Sequence, residues 1–130
     1  MHVGDVVDGI LPIETGHGLI YFHCVVASCV ANEMIEKITG QINSFHIEAP
    51  LDFCVINGDI IHDDINFLST AKSHFDDLEM PYFVTQGNHD HATPEQWEMV
   101  WGVPVNYDYV LGNNAFLFGT TSNVEGKYLP

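Results

Sequence analysis

Short apolar runs alternate with amphipathic stretches along most of the chain. Residues 19–26 form a β-branched and aromatic run that predicts the first strand. Residues 53–56 and 82–85 predict two further short strands, and the nearly continuous apolar character of 53–56 is typical of a parallel strand covered on both faces. Residues 107–110 and 115–118 predict a hairpin, with Gly112-Asn113-Asn114 as its turn.

Helices are predicted between these strands from apolar residues at helical spacing. The first stripe consists of Val30, Met34, Ile38, Ile42 and Phe45, with Asn32 as the predicted cap. The second consists of Ile65, Leu68, Phe75 and Leu78, with Asp64 as the cap and Met80-Pro81 as the end. Thr93-Pro94-Glu95-Gln96 predicts a third helix start, in which Gln96 closes a capping box on Thr93.

The predicted order β-α-β-α-β-α-β-β indicates an α/β domain with an at least partly parallel sheet. Residues 1–18 are rich in Gly, Asp and His and show no clear period, so we expect an irregular lead-in there and one domain over residues 19–130.

Charge excludes some partners. The chain of 130 residues has 18 acidic residues against three lysines and no arginine, for a formal net charge of −15. Such a chain repels nucleic acid and anionic membranes, so we expect neither as a partner. Without arginine to clamp a phosphate group, any phosphate chemistry depends on metal ions.

The remaining compositional signals favour a cytoplasmic protein. Three cysteines without a C-x-x-C pair argue against a disulfide framework or a zinc ribbon, so we expect buried thiols in a reducing compartment. The acidic N-terminus does not resemble a signal peptide, and the apolar stretch 19–30 is too short to span a membrane.

Metal-capable side chains follow two of the predicted strands directly. Asp59 comes after Gly58 at the end of the second strand, and Asn88, His89 and Asp90 come after Gly87 at the end of the third. Ligands of open α/β sheets bind at the carboxyl ends of the strands, so we expect these side chains to share one crevice. Carboxylate, amide and imidazole groups there can hold divalent cations and move a proton.

At these residues the chain resembles the calcineurin-like metallophosphoesterases, which carry a GD and a GNH(D/E) motif after successive strands. The resemblance continues through residues 97–104, 107–109 and 115–123. It implies a layered α/β sandwich and hydrolysis of a small-molecule phosphoester by a metal-bound hydroxide, with two divalent cations drawn from Mn, Fe, Zn and Mg. Asp59 is then the carboxylate that bridges both metals, Asn88 a ligand of the second metal, and His89 the catalytic residue that contacts the phosphate and protonates the leaving group.

The chain also departs from the family pattern. The opening D-x-H motif is replaced by Tyr21-Phe22-His23, which keeps His23 as a metal ligand, or in another register by Ser28-Cys29-Val30, which keeps no ligand. Thr120 stands where the family has an aspartate, and the later His and G-H-x-H segments do not occur before Pro130. The resemblance therefore implies the N-terminal half of the domain, a fragment of a longer enzyme whose exposed apolar face invites homo-oligomerisation. The alternatives are an enzyme completed by an oligomer and a non-catalytic binding module with at most one weak metal.

The neighbouring polar residues have simpler interpretations. We expect Asp90 to brace the motif loop by hydrogen bonding, and Asp63 and Asp64 to be loop and cap residues rather than ligands. His91 faces either substrate or solvent, and His46 and His74 are expected to be surface or hydrogen-bonded histidines. Trp97 and Trp101 lie one helical turn apart and are expected to pack in the core.

Overall fold

The fold is mixed α/β and consists of six strands and three helices within its described parts. The structure, a computed structural model, describes the backbone of residues 9–12, 18–22 and 29–120 and the side chains of residues 33–120. The elements in chain order are β1 (Gly9–Pro12), β2 (Gly18–Phe22), α1 (Cys29–Glu48), β3 (Leu51–Asn57), a 3₁₀ turn (Ile65–Phe67), α2 (Leu68–Phe75), β4 (Tyr82–Thr85), α3 (Pro94–Trp101), β5 (Tyr107–Leu111) and β6 (Asn114–Phe118).

The main sheet has the strand order β1-β2-β3-β4. β2, β3 and β4 are parallel, which confirms the prediction of a partly parallel sheet, and α1 and α2 make the two connections between them. β1 pairs antiparallel with β2 at the other edge. The parallel pairing matters for function because it brings the carboxyl ends of β3 and β4 to the same edge.

β3 is covered on both faces, as its apolar run predicts. Cys54 and Ile56 face the helices and belong to the larger core, whereas Phe53 and Val55 face the β5–β6 hairpin. Phe53 is fully buried and packs edge-to-face against Phe116, with ring centroids 4.8 Å apart. The molecule is therefore layered, with helices on one face of the sheet and the hairpin on the other.

Several local predictions are confirmed. Asp64 caps the 3₁₀ turn by accepting a hydrogen bond from the Asn66 N–H, and Thr93 and Gln96 form the expected capping box of α3. Trp97 is fully buried in the helix-side core. The thiol of Cys54 is free and buried, and its burial raises its pKa to about 12, so it behaves as a small apolar side chain.

Other local predictions are wrong. Residues 9–12, expected in an irregular lead-in, form strand β1. They are extended because they pair with β2, and this pairing cannot be seen in the local sequence pattern. α1 begins at Cys29, so Asn32 lies inside the helix instead of capping it. Asn114 begins β6 rather than belonging to the turn, since the register pairs Leu111 with Asn114. No helix in the described part of the chain is long and apolar enough to cross a membrane.

The open edge of β4 is closed by a tyrosine hydroxyl. Tyr107 Oη accepts a hydrogen bond from the Val84 N–H at 2.8 Å and donates one to the Val84 carbonyl at 2.7 Å. Burial raises the pKa of Tyr107 to about 12, so the hydroxyl keeps the proton that it donates. An edge strand that exposes unpaired backbone groups invites pairing with another chain, and this contact satisfies both groups of Val84.

Tyr107→Phe is expected to lower the free energy of unfolding by about 1–3 kcal/mol, because it leaves two half-buried backbone groups of Val84 without their partner. Urea unfolding measures the change. Tyr109→Phe removes the same atom from a tyrosine on the same strand and is expected to change stability by less than about 0.5 kcal/mol. Equal effects of the two variants would contradict the edge contact.

Candidate functional site

The two motif loops meet at the carboxyl edge of the sheet, as the sequence predicts. β3 and β4 pair in register up to Asn57 and Thr85, whose side chains are joined by a hydrogen bond of 3.2 Å between Thr85 Oγ1 and Asn57 Oδ1. The chain then enters the Gly58-Asp59 and Gly87-Asn88-His89 loops side by side. Asp59, Asn88 and His89 therefore lie together, whereas His23 lies outside the described residues.

Glycine is required where the two loops touch. A Cβ atom on Gly87 would lie 2.2 Å from both the backbone nitrogen and Oδ1 of Asp59. Gly58 has a φ of +67°, and a Cβ there would lie 2.9 Å from the Gly87 backbone. This close approach lets Asp59 Oδ1 accept a hydrogen bond of 3.0 Å from the His89 N–H.

A buried carboxylate fixes both loops. Asp90 is fully buried, and its Oδ1 accepts hydrogen bonds from the N–H groups of Ile60 at 2.7 Å and Ile61 at 3.0 Å. Its Oδ2 accepts one from the Gly87 N–H at 2.7 Å. Burial raises the pKa of Asp90 to about 6, and the nearby Asp59 adds to this, while the three N–H donors oppose it. The predicted bracing role of Asp90 is confirmed.

Asp63 lies closer to the site than the sequence suggests. Its Oδ1 lies 3.2 Å from His89 Nδ1 and 3.4 Å from His91 Nε2, and its backbone N–H donates to the His89 carbonyl at 2.9 Å. The hydrogen bond from His89 lowers the pKa of the Asp63 carboxyl; desolvation opposes this, and the charges of His91, His62 and His89 lower the pKa further. Asp63 lies in a loop, as predicted, but the prediction did not include its side-chain contact with His89.

His62 completes a cluster on the rim of the site. Its ring stacks on that of His89, with centroids 4.6 Å apart and planes inclined by 29°. Ligand atoms of His62, Asp63 and His89 all lie within 4.8 Å of one another. In the sequence, this cluster is indicated only by the His62-Asp63 pair shortly after Gly58-Asp59. The pair joins the site through contacts with His89, about thirty residues away, and local sequence patterns do not predict such contacts.

Other histidines have the ordinary partners expected of them. His46 Nδ1 accepts a hydrogen bond of 2.9 Å from the Leu51 N–H, and His74 Nδ1 lies 3.3 Å from Glu36 Oε1. His91, which the sequence left between substrate and solvent, is half-buried and faces Asp63.

The donors at this edge fit a divalent cation, although they are few. Asp59 and Asn88 supply carboxylate and amide oxygens, the ligands that hard cations such as Mg²⁺ and Mn²⁺ prefer. The neighbouring carboxylates are engaged elsewhere, since Asp90 holds three backbone N–H groups and Asp63 faces histidines. A cation at this edge would therefore take its protein oxygen ligands from Asp59 and Asn88, with water in its other positions.

No family model, no curated protein and no solved structure matches the chain. The function is therefore inferred from the geometry of the two loops and the chemistry of their side chains.

Gly87→Ala is expected to lower the free energy of unfolding by about 1–3 kcal/mol, because its Cβ collides with Asp59 and forces the loops apart. Gly40→Ala serves as the control: Gly40 lies in α1 with nothing within 4 Å of an added Cβ. That variant is expected to gain up to about 1 kcal/mol from helix propensity. Chemical denaturation compares the two, and a neutral Gly87→Ala would contradict the close approach.

Asp90→Asn is expected to destabilise the fold by about 1–3 kcal/mol, since its amide nitrogen cannot accept from the Gly87 N–H and this partly buried donor loses its partner. Thermal unfolding at neutral pH measures the loss, with Asp77→Asn as an exposed control. A transition temperature equal to that of the control would show that the buried carboxylate does not hold the loops.

Proposed function

We propose that this chain is a metal-dependent phosphoesterase domain of the calcineurin-like type. In this proposal, Asp59 and Asn88 hold a divalent cation and His89 protonates the leaving group of a phosphoester. The observation that carries the proposal is the direct contact between the Gly58-Asp59 and Gly87-Asn88-His89 loops at the carboxyl ends of neighbouring parallel strands. Open α/β sheets bind their ligands at such edges.

The charge of the chain supports a role for metal. A phosphoester is anionic, and the chain has a net charge of −15 and no arginine. Of the described lysines, Lys72 is engaged by Asp76 at 2.6 Å, on a helix rather than at the strand ends. A bound divalent cation polarises a phosphoryl group and lowers the pKa of a water molecule. Binding of substrate therefore depends on the oxygen ligands Asp59 and Asn88.

The environment of His89 supports its role as a general acid. Asp63 Oδ1 faces Nδ1, so a proton on that nitrogen is held by the carboxylate and the ring is oriented. Nε2 is then the nitrogen that exchanges a proton with substrate. When the P–O bond of the ester breaks, the imidazolium donates its Nε2 proton to the departing oxygen and becomes neutral.

The layered architecture is a further support. The apolar β3 has helices on one face and the hairpin on the other, and this two-sided cover supports the proposal because a layered α/β sandwich needs it. His23 stays the predicted ligand of a second cation, and the identity of the metals stays open among Mn, Fe, Zn and Mg.

A binding module with one weak cation is the second candidate. It is favoured by the contacts of the two neighbouring carboxylates, since Asp90 accepts hydrogen bonds from three backbone N–H groups and Asp63 faces His89 and His91. Calorimetric titration with Mn²⁺ separates the two candidates: the module binds one ion weakly, whereas two tightly bound ions per chain would exclude it.

The phosphoesterase proposal predicts Mn²⁺-dependent hydrolysis of a chromogenic phosphoester. His89→Asn is expected to reduce the rate by about 10²–10⁴-fold, as for loss of a general acid, and Asp59→Asn is expected to abolish the metal dependence. Asp77→Asn, in the exposed turn that follows α2, is the control and is expected to keep the rate. Hydrolysis that is unchanged by Asp59→Asn would overturn the proposal.

A further inference from the structure

We propose that His62, Asp63 and His89 form a second site, for a borderline transition-metal cation of the Zn²⁺ class. These three side chains come from two loops that the structure holds together at the rim of the sheet edge. The Asp63 N–H donates to the His89 carbonyl at 2.9 Å, so the backbone itself fixes the two loops at this point. The site shares His89 with the proposed phosphoesterase chemistry but uses neither Asp59 nor Asn88.

The three donor groups lie within reach of one cation. With zinc–ligand bonds of about 2.0–2.2 Å, the ligand atoms of such a site lie about 3.4 Å apart. His89 Nδ1 lies 3.2 Å from Asp63 Oδ1, and His62 Nε2 lies 3.9 Å from Asp63 Oδ2. All three ligand atoms fall within 4.8 Å of one another, so small side-chain rotations bring them around one ion.

The donor types define the class of cation. Two imidazole nitrogens and one carboxylate oxygen favour Zn²⁺, Co²⁺, Ni²⁺ or Cu²⁺ over Mg²⁺ and Mn²⁺, which prefer oxygen. Three protein ligands leave a fourth position for water, as in many zinc sites with an open coordination position. The oxygen donors Asp59 and Asn88 have the opposite preference, so the two sites differ in selectivity.

Access and charge favour binding of an ion from solution. The side chains of His62 and Asp63 are each 48% exposed and that of His89 is 36% exposed. The net charge of −15 raises the local concentration of cations. His91 Nε2 lies 3.4 Å from Asp63 Oδ1, where it orients the carboxylate as a positioning residue.

Sharing of His89 has a regulatory consequence, which rests on the proposed function. A cation bound at Nδ1 would take the place of the contact between His89 and Asp63 and would withdraw His89 from its proposed role as proton donor. Zinc-class ions at this site would therefore inhibit hydrolysis that depends on Mn²⁺.

Binding is tested on the full chain, without any assay of hydrolysis. Co²⁺ serves as a spectroscopic probe, and Zn²⁺ affinity is measured by competition with a chromogenic chelator. One ion per chain is expected, and His62→Asn and Asp63→Asn are each expected to weaken it by about tenfold or more, since even outer partners of metal ligands contribute that much. His74→Asn is the matched histidine control and is expected to bind as the unsubstituted chain does.

Asp59→Asn separates this proposal from the proposed function, because it removes the carboxylate that would bind Mn²⁺ but keeps an amide oxygen that can accept from the His89 N–H. Its effect on Zn²⁺ affinity is expected to be smaller than that of His62→Asn. Circular dichroism of each variant establishes that it is folded. Failure to bind Co²⁺ or Zn²⁺, or equal affinity of His62→Asn and His74→Asn, would overturn the site. An unchanged hydrolysis rate in Asp59→Asn would overturn only the phosphoesterase proposal.

Discussion

The candidate site depends on one buried carboxylate. Asp90 lies thirty residues from Ile60 in the chain, yet its two carboxylate oxygens accept hydrogen bonds from N–H groups of both motif loops. A buried charge is costly unless its hydrogen bonds are satisfied, so the three donors and the carboxylate stabilise one another. With the loops fixed in this way, Gly87 fits against Asp59, and the His89 N–H reaches the Asp59 carboxylate.

The placement of that carboxylate follows from the sheet. β3 and β4 are parallel neighbours, so the loops that leave them emerge at one edge. Their parallel pairing requires cover on both faces, which α1 and α2 supply on one side and the β5–β6 hairpin on the other. The hairpin also contributes Tyr107, whose hydroxyl closes the outer edge of β4 beside the site. The hydrophobic core, the edge of β4 and the candidate site therefore all depend on the packing of the hairpin and helices against this sheet.

Features set by local chemistry could be predicted from the sequence. The strand Tyr82–Thr85 and the capping box at Thr93 depend on neighbours in the chain, and both are found where expected. The meeting of Asp59 with His89 followed from two apolar runs that each end in Gly and from the rule that parallel strands share an edge. Strand β1 could not be predicted in this way, because its extended conformation depends on pairing with β2.

Contacts between residues far apart in the chain could not be predicted from local sequence patterns. From the sequence, Asp63 is expected to be an ordinary loop residue, and only the folded chain brings it beside His89 and His91. The same holds for the stack of His62 on His89. Mixed sites of this kind arise where two loops meet, so their composition depends on register and loop geometry rather than on the periodicity of either segment.

The proposed function requires that the two loops after β3 and β4 together bind a divalent cation. Titration of the isotope-labelled chain with Mn²⁺, followed through the backbone amide NMR signals, tests it most directly because the ion broadens signals of nearby nuclei. Selective broadening of residues 58–60 and 87–90 at substoichiometric Mn²⁺, and its loss in Asp59→Asn, is the predicted result. Uniform broadening, or broadening confined to exposed acidic residues such as Asp76 and Asp77, would contradict it.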